Sequence, residues 1–552
     1  MTPAKLAEAV LEAAAAVLTE QGSDLSVLPP AANLERPKNP SYGDYSSSLA
    51  LQIAKKAGSR PRELAQAISS KLIADPAIKD VEIAGPGFLN IWLDSAAAGA
   101  VAGAIIEQGK AFGRGTGLAG QLVNLEFVSA NPTGPIHIGG VRWAAVGDAL
   151  VRLLRSQGAA VSTEYYFNDA GAQIDRFADS LLAAVAKEPV PDGGYTGEYI
   201  QEIARMVLAK HPGVLEGPLA QAREIFRSEG VALMFQEIKS SLANFGVHFD
   251  VFFTEKDLHD SGELDAALAR LRKSGHVYEA GGATWVRTTD FGDDKDRVFA
   301  RSNGEFTYFA ADCAYYLDKR RRGFSKVMII LGADHHGYVG RLRAAVWCLG
   351  DDPDQTLEIL IGQMVNVVRD GQPVRMSKRA GNVVTIDDIV GAIGVDATRY
   401  ALTRYSLDST IDLDLDMWTQ RSSDNPLYYV QYAHARIASL LRTAAELGIT
   451  PGDRYNPALL THERERDLLK GLAEFPVVVA DAAQLRQPHR VARYLEALAG
   501  TYHRFYDACR VLPLRGEGFS EVGCSRLSLA QATRIVLAAG LDLLGVSAPD
   551  RL

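Results

Sequence analysis

The chain has 552 residues, 47% of them hydrophobic and 23% charged, with 58 Lys and Arg against 67 Asp and Glu, a net charge of −9. These ordinary globular values exclude a disordered or fibrous protein, and the length is enough for about three domains. The negative charge argues against non-specific nucleic-acid binding. It is unevenly spread, because 16 basic and 14 acidic residues follow from Trp418 onward, so that tail carries +2 and the first 417 residues carry −11.

The sequence shows no signal for secretion, membrane insertion or metal binding. No apolar run approaches the ~20 residues that a membrane helix needs, and the N-terminal segment has charged residues at helical spacing, unlike a signal peptide. The four cysteines, Cys313, Cys348, Cys509 and Cys524, form no C-x-x-C pair, which argues against a disulfide framework and a zinc site. We expect a cytoplasmic protein with no membrane partner and no protein-bound structural metal.

Residues 1–112 predict a small α+β module. A helix runs to about Gln21, and further helices are expected at 46–57 and 61–72, because apolar residues recur there at helical spacing. Two strands, at 81–84 and 88–93, flank the turn Gly85-Pro86-Gly87. This pattern is typical of an accessory module rather than a catalytic core.

Residues 113–417 predict a Rossmann-like catalytic domain. A strand at 122–128, a helix at 141–156 and a strand at 161–167 form one βαβ unit, and a second unit has strands at 326–331 and 357–361. Two such units imply a parallel sheet, interrupted by an insertion at about 185–310. Helical periodicity from 418 to 552 predicts an all-α bundle. The predicted fold class is α/β, with an N-terminal α+β module and a C-terminal helical bundle.

Two loops carry residues suited to phosphate. His137-Ile138-Gly139-Gly140 follows a strand and opens a helix, where backbone N–H groups and the helix dipole favour an anion. The basic loop Arg375-Met376-Ser377-Lys378-Arg379 could bring Lys378 to a polyphosphate as a point charge. Taken singly, a solvated histidine at a helix start and a solvated charged loop explain these segments equally well.

Together the two loops resemble the HIGH and KMSKS signatures of class I aminoacyl-tRNA synthetases. Further blocks resemble the arginyl-tRNA synthetase family, in order: EFVSANPTGP at 126–135, GDDKDRV at 292–298, GADHHG at 332–337 and YVQYAHAR at 429–436. The resemblance implies an enzyme that uses ATP and Mg²⁺ to activate L-arginine as arginyl-adenylate and transfers it to the 3′ end of tRNA(Arg). It also implies a D-loop-contacting N-terminal module and an anticodon-binding bundle. We expect a monomer with no DNA partner.

By this resemblance the catalytic residues are His137, Gly140 and Lys378. The ATP-binding residues that it implies are His137, Gly139, Gly140, Asp334, Met376, Ser377 and Lys378. Two positions depart from the family pattern, since Gly140 replaces the second His of HIGH and Arg375 replaces the first Lys of KMSKS. The Gly140 N–H is one candidate substitute for the missing donor. Asp334 would bind ribose hydroxyls, and a helix N-cap is the equally good alternative.

The side chain of arginine needs acidic acceptors and an aromatic wall, because its guanidinium is planar and carries five donors. The resemblance assigns Glu126, Tyr308 and Asp312 to the guanidinium and Asn131 to the α-amino or carboxylate end. Glu126 lies on a predicted strand, an unusual place for a charge without a partner. Tyr308 and Asp312 are four residues apart and would share a helix face. A helix cap or a salt bridge is the alternative for Asp312.

Contacts to tRNA are assigned to two surfaces. Phe88 and Asn90 match the family's D-loop contact, where a ring and an amide edge suit an unpaired base. The bundle has a Tyr/Arg helical face suited to stacking bases and pairing phosphates, made by Tyr429, Tyr432, Arg436 and Arg442. Core packing is the alternative for the aromatic residues.

Three other functions compete with this interpretation. Another class I ligase is disfavoured by the missing Cys/His zinc site and by the lack of room for a long editing insertion. A small-molecule nucleotidyltransferase would not need the helical tail at 418–552. A non-catalytic RNA-binding paralogue is suggested only by Gly140.

Overall fold

The computed structural model describes the whole chain except residues 38, 40, 41, 170, 375–383 and 515 and the side chains of Ser95 and His259. The N-terminal part contains helices and an antiparallel sheet: α1 Pro3–Glu20, β1 Leu34–Glu35, β2 Tyr45–Ser47, α2 Leu49–Ile53, α3 Pro61–Leu72, β3 Ile78–Ala84, β4 Phe88–Leu93 and α4 Ser95–Gln108. The strand order is β1-β2-β4-β3. Helices α1 and α3 bury their apolar faces in a core of their own beside this sheet.

One predicted helix begins later than expected. Residues 46–57 were expected to be helical, but Ser46 and Ser47 pair with Asn90 and Leu89 as part of β2, and the helix begins at Leu49. The short strand is held by hydrogen bonds to β4, a partner more than forty residues away in sequence. Helical periodicity within the segment cannot detect such a partner.

The middle of the chain forms the α/β unit that contains the central sheet. Its elements in chain order are β5 Leu122–Glu126, α5 Ile138–Ser156, β6 Ala160–Phe167, α6 Ala172–Ala186, α7 Glu198–Lys210, α8 Leu219–Asn244, β7 Val251–Thr254, α9 Glu255–Asp260, α10 Glu263–Ser274, β8 Val277–Ala280, β9 Ala283–Val286, β10 Arg297–Ala300, α11 Tyr308–Arg321, β11 Lys326–Gly332, α12 Tyr338–Cys348, α13 Pro353–Thr356, β12 Leu357–Gly362, β13 Val365–Arg369, β14 Gln372–Pro373, α14 Ile386–Ile393, α15 Val395–Thr403 and β15 Ile411–Asp414.

The central sheet is parallel, with the strand order β12-β11-β5-β6-β7. The chain builds outward from β5 through β6 to β7 and then returns to the other side of β5 as β11. The crevice between the carboxyl ends of β5 and β11 is therefore the switch point at which open α/β sheets bind ligands. Strand β7 lies inside the predicted insertion, and its four partly buried residues were too few to signal a sheet strand.

Helix α5 packs closely on the sheet through small residues. At Gly147 an added Cβ would lie 2.4 Å from Cδ2 of the Phe127 ring, and at Gly362 it would overlap the ring of Trp143. These approaches seat α5 against the ends of β5 and β12. The histidine that begins the helix is thereby held over the switch point.

The last part of the chain is helical in its described residues: α16 Leu415–Thr419, α17 Pro426–Glu446, α18 Glu463–Gln484, α19 His489–Ala508 and α20 Glu521–Leu543. The bundle shares one continuous core with the central sheet. The Tyr400 hydroxyl donates to the Ala492 carbonyl at 3.1 Å, and Arg404 pairs with Glu496 at 2.7 Å. The predicted fold class is confirmed. In the described residues, no helix is both long and apolar enough to cross a membrane.

Candidate active site

A cavity of about 850 Å³ opens at the switch point between β5 and β11. Six of the residues singled out in the sequence line it: Glu126, Asn131, His137, Gly140, Asp312 and Asp334. They come from segments nearly two hundred residues apart and meet because β5 and β11 are neighbours in the sheet. Tyr308 lies apart from the others, since it is 68% exposed at the first turn of α11.

Both carboxylate oxygens of Glu126 have protein partners. Oε2 accepts from the Lys319 ammonium at 2.5 Å, and Oε1 accepts from the Ser129 hydroxyl at 3.0 Å. Glu126 is 7% exposed and the Lys319 side chain 1%. The buried charge on β5 is therefore paired, and its partner Lys319 was not identified from the sequence.

The chain leaves β5 through a strained turn. Val128 has φ of 70° and Ser129 has φ of 42°, in the left-handed region that a β-branched residue strongly disfavours. The Tyr165 hydroxyl holds the turn by donating to the Ala130 carbonyl and accepting from the Ala130 N–H, at 2.7 and 3.1 Å. Such strain persists only where surrounding contacts over-determine it, and it is common at functional sites. The strained turn lies between Glu126 and Asn131, and both of these residues line the cavity.

Asp312 lies on α11 in the cavity wall, where its side chain is 30% exposed while its Oδ2 atom is buried. Burial raises the pKa of its carboxyl to about 7, with the positive charge of Arg341 opposing the shift and the negative charges of Glu126 and Glu255 adding to it. Arg341 Nη2 is 3.6 Å from Asp312 Oδ2, which has no hydrogen-bond partner among the described residues. The N-cap of α11 is Thr307, so the capping alternative for Asp312 is wrong, while the contact with Arg341 agrees with the salt-bridge alternative.

Asn131 is held by the segment that follows β6. Its side-chain amide donates to Gln173 Oε1 at 2.8 Å, and its Oδ1 accepts from the Asn168 N–H at 3.1 Å. These two bonds orient the amide in the lining of the cavity.

His137 is the N-cap of α5. Its Nδ1 accepts from the Gly139 N–H at 3.2 Å, which leaves Nε2 as the donor of a neutral ring. Burial lowers the pKa of the imidazole, and the carboxylate of Asp334 partly opposes this. At Gly140 an added Cβ would lie 2.7 Å from Ile136 Cγ2, so the local packing favours glycine where the HIGH motif has its second His.

Met376, Ser377 and Lys378, which were assigned to ATP, lie outside the described residues. The residues that follow this segment pair with the HIGH-like turn: Ile138 N–H donates to the Val384 carbonyl at 3.0 Å, and Ile386 N–H donates to the Ile136 carbonyl at 2.9 Å. Thr385 bridges His137 in the same antiparallel contact.

Asp334 lies in the turn after β11. Its side chain is 75% exposed and 3.4 Å from His335 Nε2. Helix α12 begins after Gly337, so Asp334 does not cap it and the capping alternative is not supported. Among the described residues there is no group of three or more His, Cys, Asp or Glu side chains arranged to hold a metal ion.

The bundle surface carries an aromatic stack around Arg436. Its guanidinium lies over the rings of Tyr432 and Tyr506, at 4.8 and 4.6 Å from their centres, and the Tyr432 ring stacks on His503 at 5.8 Å. Tyr432 is 37% exposed. Tyr429 is turned toward α19, where its ring centre is 4.9 Å from that of His503.

The remaining predicted tRNA residues are separated from this stack. Arg442 lies ten residues further along α17 than Tyr432 and donates to the Asp550 carbonyl at 3.3 Å. In the N-terminal sheet Phe88 is exposed at the first position of β4, whereas Asn90 is only 4% exposed. The exposure of Phe88 argues against core packing, which was the alternative for this ring.

Three family models match the chain. An arginyl-tRNA synthetase N-terminal domain matches residues 4–93, a class I (R) tRNA synthetase catalytic domain matches 219–403, and a DALR anticodon-binding domain matches 430–552. A solved structure from Campylobacter jejuni is 33% identical and covers 83% of this chain and all of that one, with a TM-score of 0.76. The arginyl-tRNA synthetase of Thermus thermophilus, 24% identical over the whole of both chains, has the same fold with a TM-score of 0.77.

The arginine–tRNA ligase of Kineococcus radiotolerans is 58% identical over 554 aligned residues, which cover the whole of both chains. The three matches follow one another along the chain in the order N-terminal domain, catalytic domain and anticodon-binding domain. The chain belongs to the arginine–tRNA ligase family of class I aminoacyl-tRNA synthetases.

Proposed function

We propose that the cavity between β5 and β11 joins L-arginine to ATP as arginyl-adenylate and then transfers the arginyl group to the 3′ end of tRNA(Arg). The observation that carries this proposal is the pair of carboxylates, the buried Glu126 and the half-buried Asp312, in one cavity with the His137 turn at the start of α5. Acidic acceptors suit a guanidinium, and a helix N-terminus suits a phosphate. The cavity therefore offers acceptors for the side chain of arginine and donors for the phosphates of ATP.

Arginine is proposed to enter with its side chain toward α11. Glu126 and the Oδ2 of Asp312, which has no hydrogen-bond partner in the described part of the chain, accept guanidinium donors, while Asn131 holds the α-amino or carboxylate end. Tyr308 was assigned to the same side chain; it is exposed and does not line the cavity, which makes it the least supported member of this set.

ATP is proposed to lie across the first turn of α5. His137 Nε2, the close backbone at Gly139 and the Gly140 N–H would face the phosphates, and Asp334 would accept from the ribose hydroxyls. The side chains of Met376, Ser377 and Lys378 are assigned to the nucleotide from the motif alone. Mg²⁺ is treated as part of the nucleotide substrate, bound mainly by its phosphates.

The reaction needs no side-chain nucleophile. A carboxylate oxygen of arginine attacks the α-phosphorus of ATP in line, the bond to the bridging oxygen breaks, and pyrophosphate leaves. A ribose hydroxyl at the 3′ end of tRNA then attacks the carbonyl carbon of the adenylate and releases AMP. In the first step His137 and Lys378 would take up charge that develops on the phosphates.

The tRNA is proposed to lie along both accessory modules, here taken as 1–112 and 418–552 on either side of a catalytic domain at 113–417. The exposed ring of Phe88, next to Asn90, would meet the D-loop, and the Tyr432/Arg436 stack would meet anticodon bases. Tyr429 and Arg442 would support the second surface from its two sides.

The first prediction tests the arginine pocket. Glu126→Gln and Asp312→Asn should each raise the KM for arginine by about tenfold or more, because each removes a charged acceptor from a buried guanidinium. The KM for ATP should change little in ATP–pyrophosphate exchange. Asp334→Asn is the matched control, since it neutralises a carboxylate of the same cavity on the nucleotide side and should raise the KM for ATP instead. Equal effects of all three variants on both substrates would remove the assignment.

A further inference from the structure

Lys319 is an unusual residue to find at the bottom of this cavity. Its side chain is 1% exposed, its Nζ donates to Glu126 Oε2 at 2.5 Å, and the nearest oxygen of Glu164 is 4.0 Å away. The ammonium also lies 4.0 Å from the centre of the Tyr315 ring. Burying an ion pair costs desolvation that its attraction often fails to offset, so such a pair is weak evidence for stability.

Helix α11 brings Lys319 and Asp312 to one face. The two residues are seven apart, two helical turns, with Tyr315 between them, and all three line the cavity. Among the described residues, the helix thus presents an acid whose Oδ2 has no hydrogen-bond partner and, two turns on, a cation that is paired with Glu126.

Behind Lys319 the charges alternate away from the cavity. Glu164 on β6 accepts from Arg322 through both oxygens, at 2.7 and 2.9 Å, and Lys319 lies between this pair and Glu126. Glu164 is fully buried, and the lowered pKa of its carboxyl reflects the charges of Lys319 and Arg322 and the Arg322 hydrogen bond, which outweigh its burial. Lys319 therefore lies between two buried carboxylates, and its hydrogen bond is to Glu126 rather than to Glu164.

We propose that Lys319 is a positioning residue for arginine recognition: it fixes the orientation of Glu126 so that the carboxylate faces the incoming guanidinium. This inference rests on the proposed role of Glu126. An ionised carboxylate has about four acceptor sites, of which Lys319 and Ser129 occupy one on each oxygen. The remaining sites stay open to guanidinium donors, so substrate and Lys319 share Glu126 rather than compete for it.

The test is a double-mutant cycle on the full-length enzyme, read as arginine KM and ATP KM in ATP–pyrophosphate exchange. Lys319→Met should raise the arginine KM about tenfold with the ATP KM unchanged, because Glu126 loses the partner that orients it. In a Glu126→Gln background the same substitution should change the arginine KM by less than about twofold, since a residue that acts through Glu126 has nothing left to orient. Lys319→Arg, which keeps the charge, should restore most of the affinity.

Arg322→Met is the matched control. It breaks the same buried network at its outer end, at the Glu164 pair, without touching Glu126. It should leave the ratio of the two KM values unchanged even if it lowers the thermal midpoint. Should Lys319→Met fail to fold, the double variant Glu126→Gln/Lys319→Met is used instead, because it removes both charges of the ion pair and leaves neither one unpaired. It is compared with Glu126→Gln alone.

The outcomes separate the two levels of inference. If Glu126→Gln itself leaves the arginine KM unaltered, the proposed function of Glu126 fails. If Glu126→Gln acts but Lys319→Met does not, or acts equally in both backgrounds, the positioning role of Lys319 is overturned. A fall in arginine KM on Lys319→Met would also overturn it, since Lys319 would then be a competitor for Glu126.

Discussion

At the scale of single residues, the two carboxylates of the cavity differ because their neighbours differ. Glu126 accepts hydrogen bonds from a cation and a hydroxyl. Asp312, by contrast, has Arg341 at 3.6 Å, and the negative charges of Glu126 and Glu255 help to raise its pKa. Burial without a close partner raises the pKa of an acid, because the charged form loses its hydration. Asp312, whose Oδ2 has no hydrogen-bond partner among the described residues, is therefore an acceptor whose charge changes with pH near neutrality.

This difference predicts a pH dependence of arginine binding. With a pKa of about 7, Asp312 is mostly protonated at pH 6 and mostly ionised at pH 8, and only the ionised form is a charged acceptor. The arginine KM should therefore fall roughly tenfold between pH 6 and pH 8. Steady-state exchange at several pH values, with ATP KM measured in parallel, provides the check.

Asp312→Asn is the control for this dependence, because an amide does not titrate. Its arginine KM should be high and nearly flat over the same range. A variant that keeps the full pH dependence of the parent enzyme would show that another group, such as Glu255 or the substrate itself, is responsible.

At the scale of elements, the site depends on how closely α5 approaches β5. Gly147 is the contact point, since its Cα faces the Phe127 ring with no room for a side chain. Arg142, one turn after His137, is buried and donates to the carbonyls of Gln363 and Ser406, which ties the same helix to the segments after β12 and α15. The helix is thus held along its length in the position that places His137 over the cavity.

The close approach predicts opposite effects of the same substitution at two helical glycines. Gly147→Ala should lower stability by about 1–3 kcal/mol, because overpacking against Phe127 outweighs the gain in helix propensity. Gly391→Ala in α14, where an added Cβ would meet nothing within 4 Å, should raise stability by about 0.5–1 kcal/mol. Urea unfolding midpoints of the two variants would measure the contrast. An increase at Gly147 equal to that at Gly391 would mean that the helix and strand lie further apart than described.

At the scale of the whole molecule, the bundle is part of the body that holds the cavity. The buried Arg399 of α15 pairs with Asp148 of α5 and donates to the carbonyls of Phe245 and Leu544. The N-terminal module is joined to the bundle through Lys470 and Asp44, at 2.5 Å, and through Arg36 and Glu474, at 2.8 Å. The proposed tRNA surfaces and the cavity therefore belong to one packed structure rather than to separable pieces.

The bundle surface yields a prediction about tRNA. Tyr432→Ala should raise the tRNA KM about tenfold while sparing the ATP and arginine KM values, because stacking on a base is worth ~1–3 kcal/mol. The matched control is Tyr278→Ala, which removes a ring that also carries an arginine, Arg287 at 4.5 Å, but lies in the sheet of β8, β9 and β10. Aminoacylation kinetics with folding checked by circular dichroism would decide. Equal effects of the two variants would place the anticodon contact elsewhere.

The sequence alone was sufficient for features that depend on local spacing. The βαβ units, the His137 turn at a helix start and the helical tail each leave a periodic or motif signal within a few tens of residues, because backbone hydrogen bonding and amphipathic packing repeat at 2 or 3.6 residues. The family followed from short blocks in a fixed order, and six of the predicted site residues meet in one cavity.

Only the tertiary structure decided which groups are partners. Glu126 and Lys319 are 193 positions apart, and nothing near either residue indicates that α11 crosses the end of β5 and brings them into contact. The same holds for β7, whose four residues become a strand only beside β6, and for Asp312, where burial against other segments raises the pKa of the carboxyl to about 7. Charge, burial and pairing over long sequence separations are properties of the packed chain, since they depend on distances that no local pattern encodes.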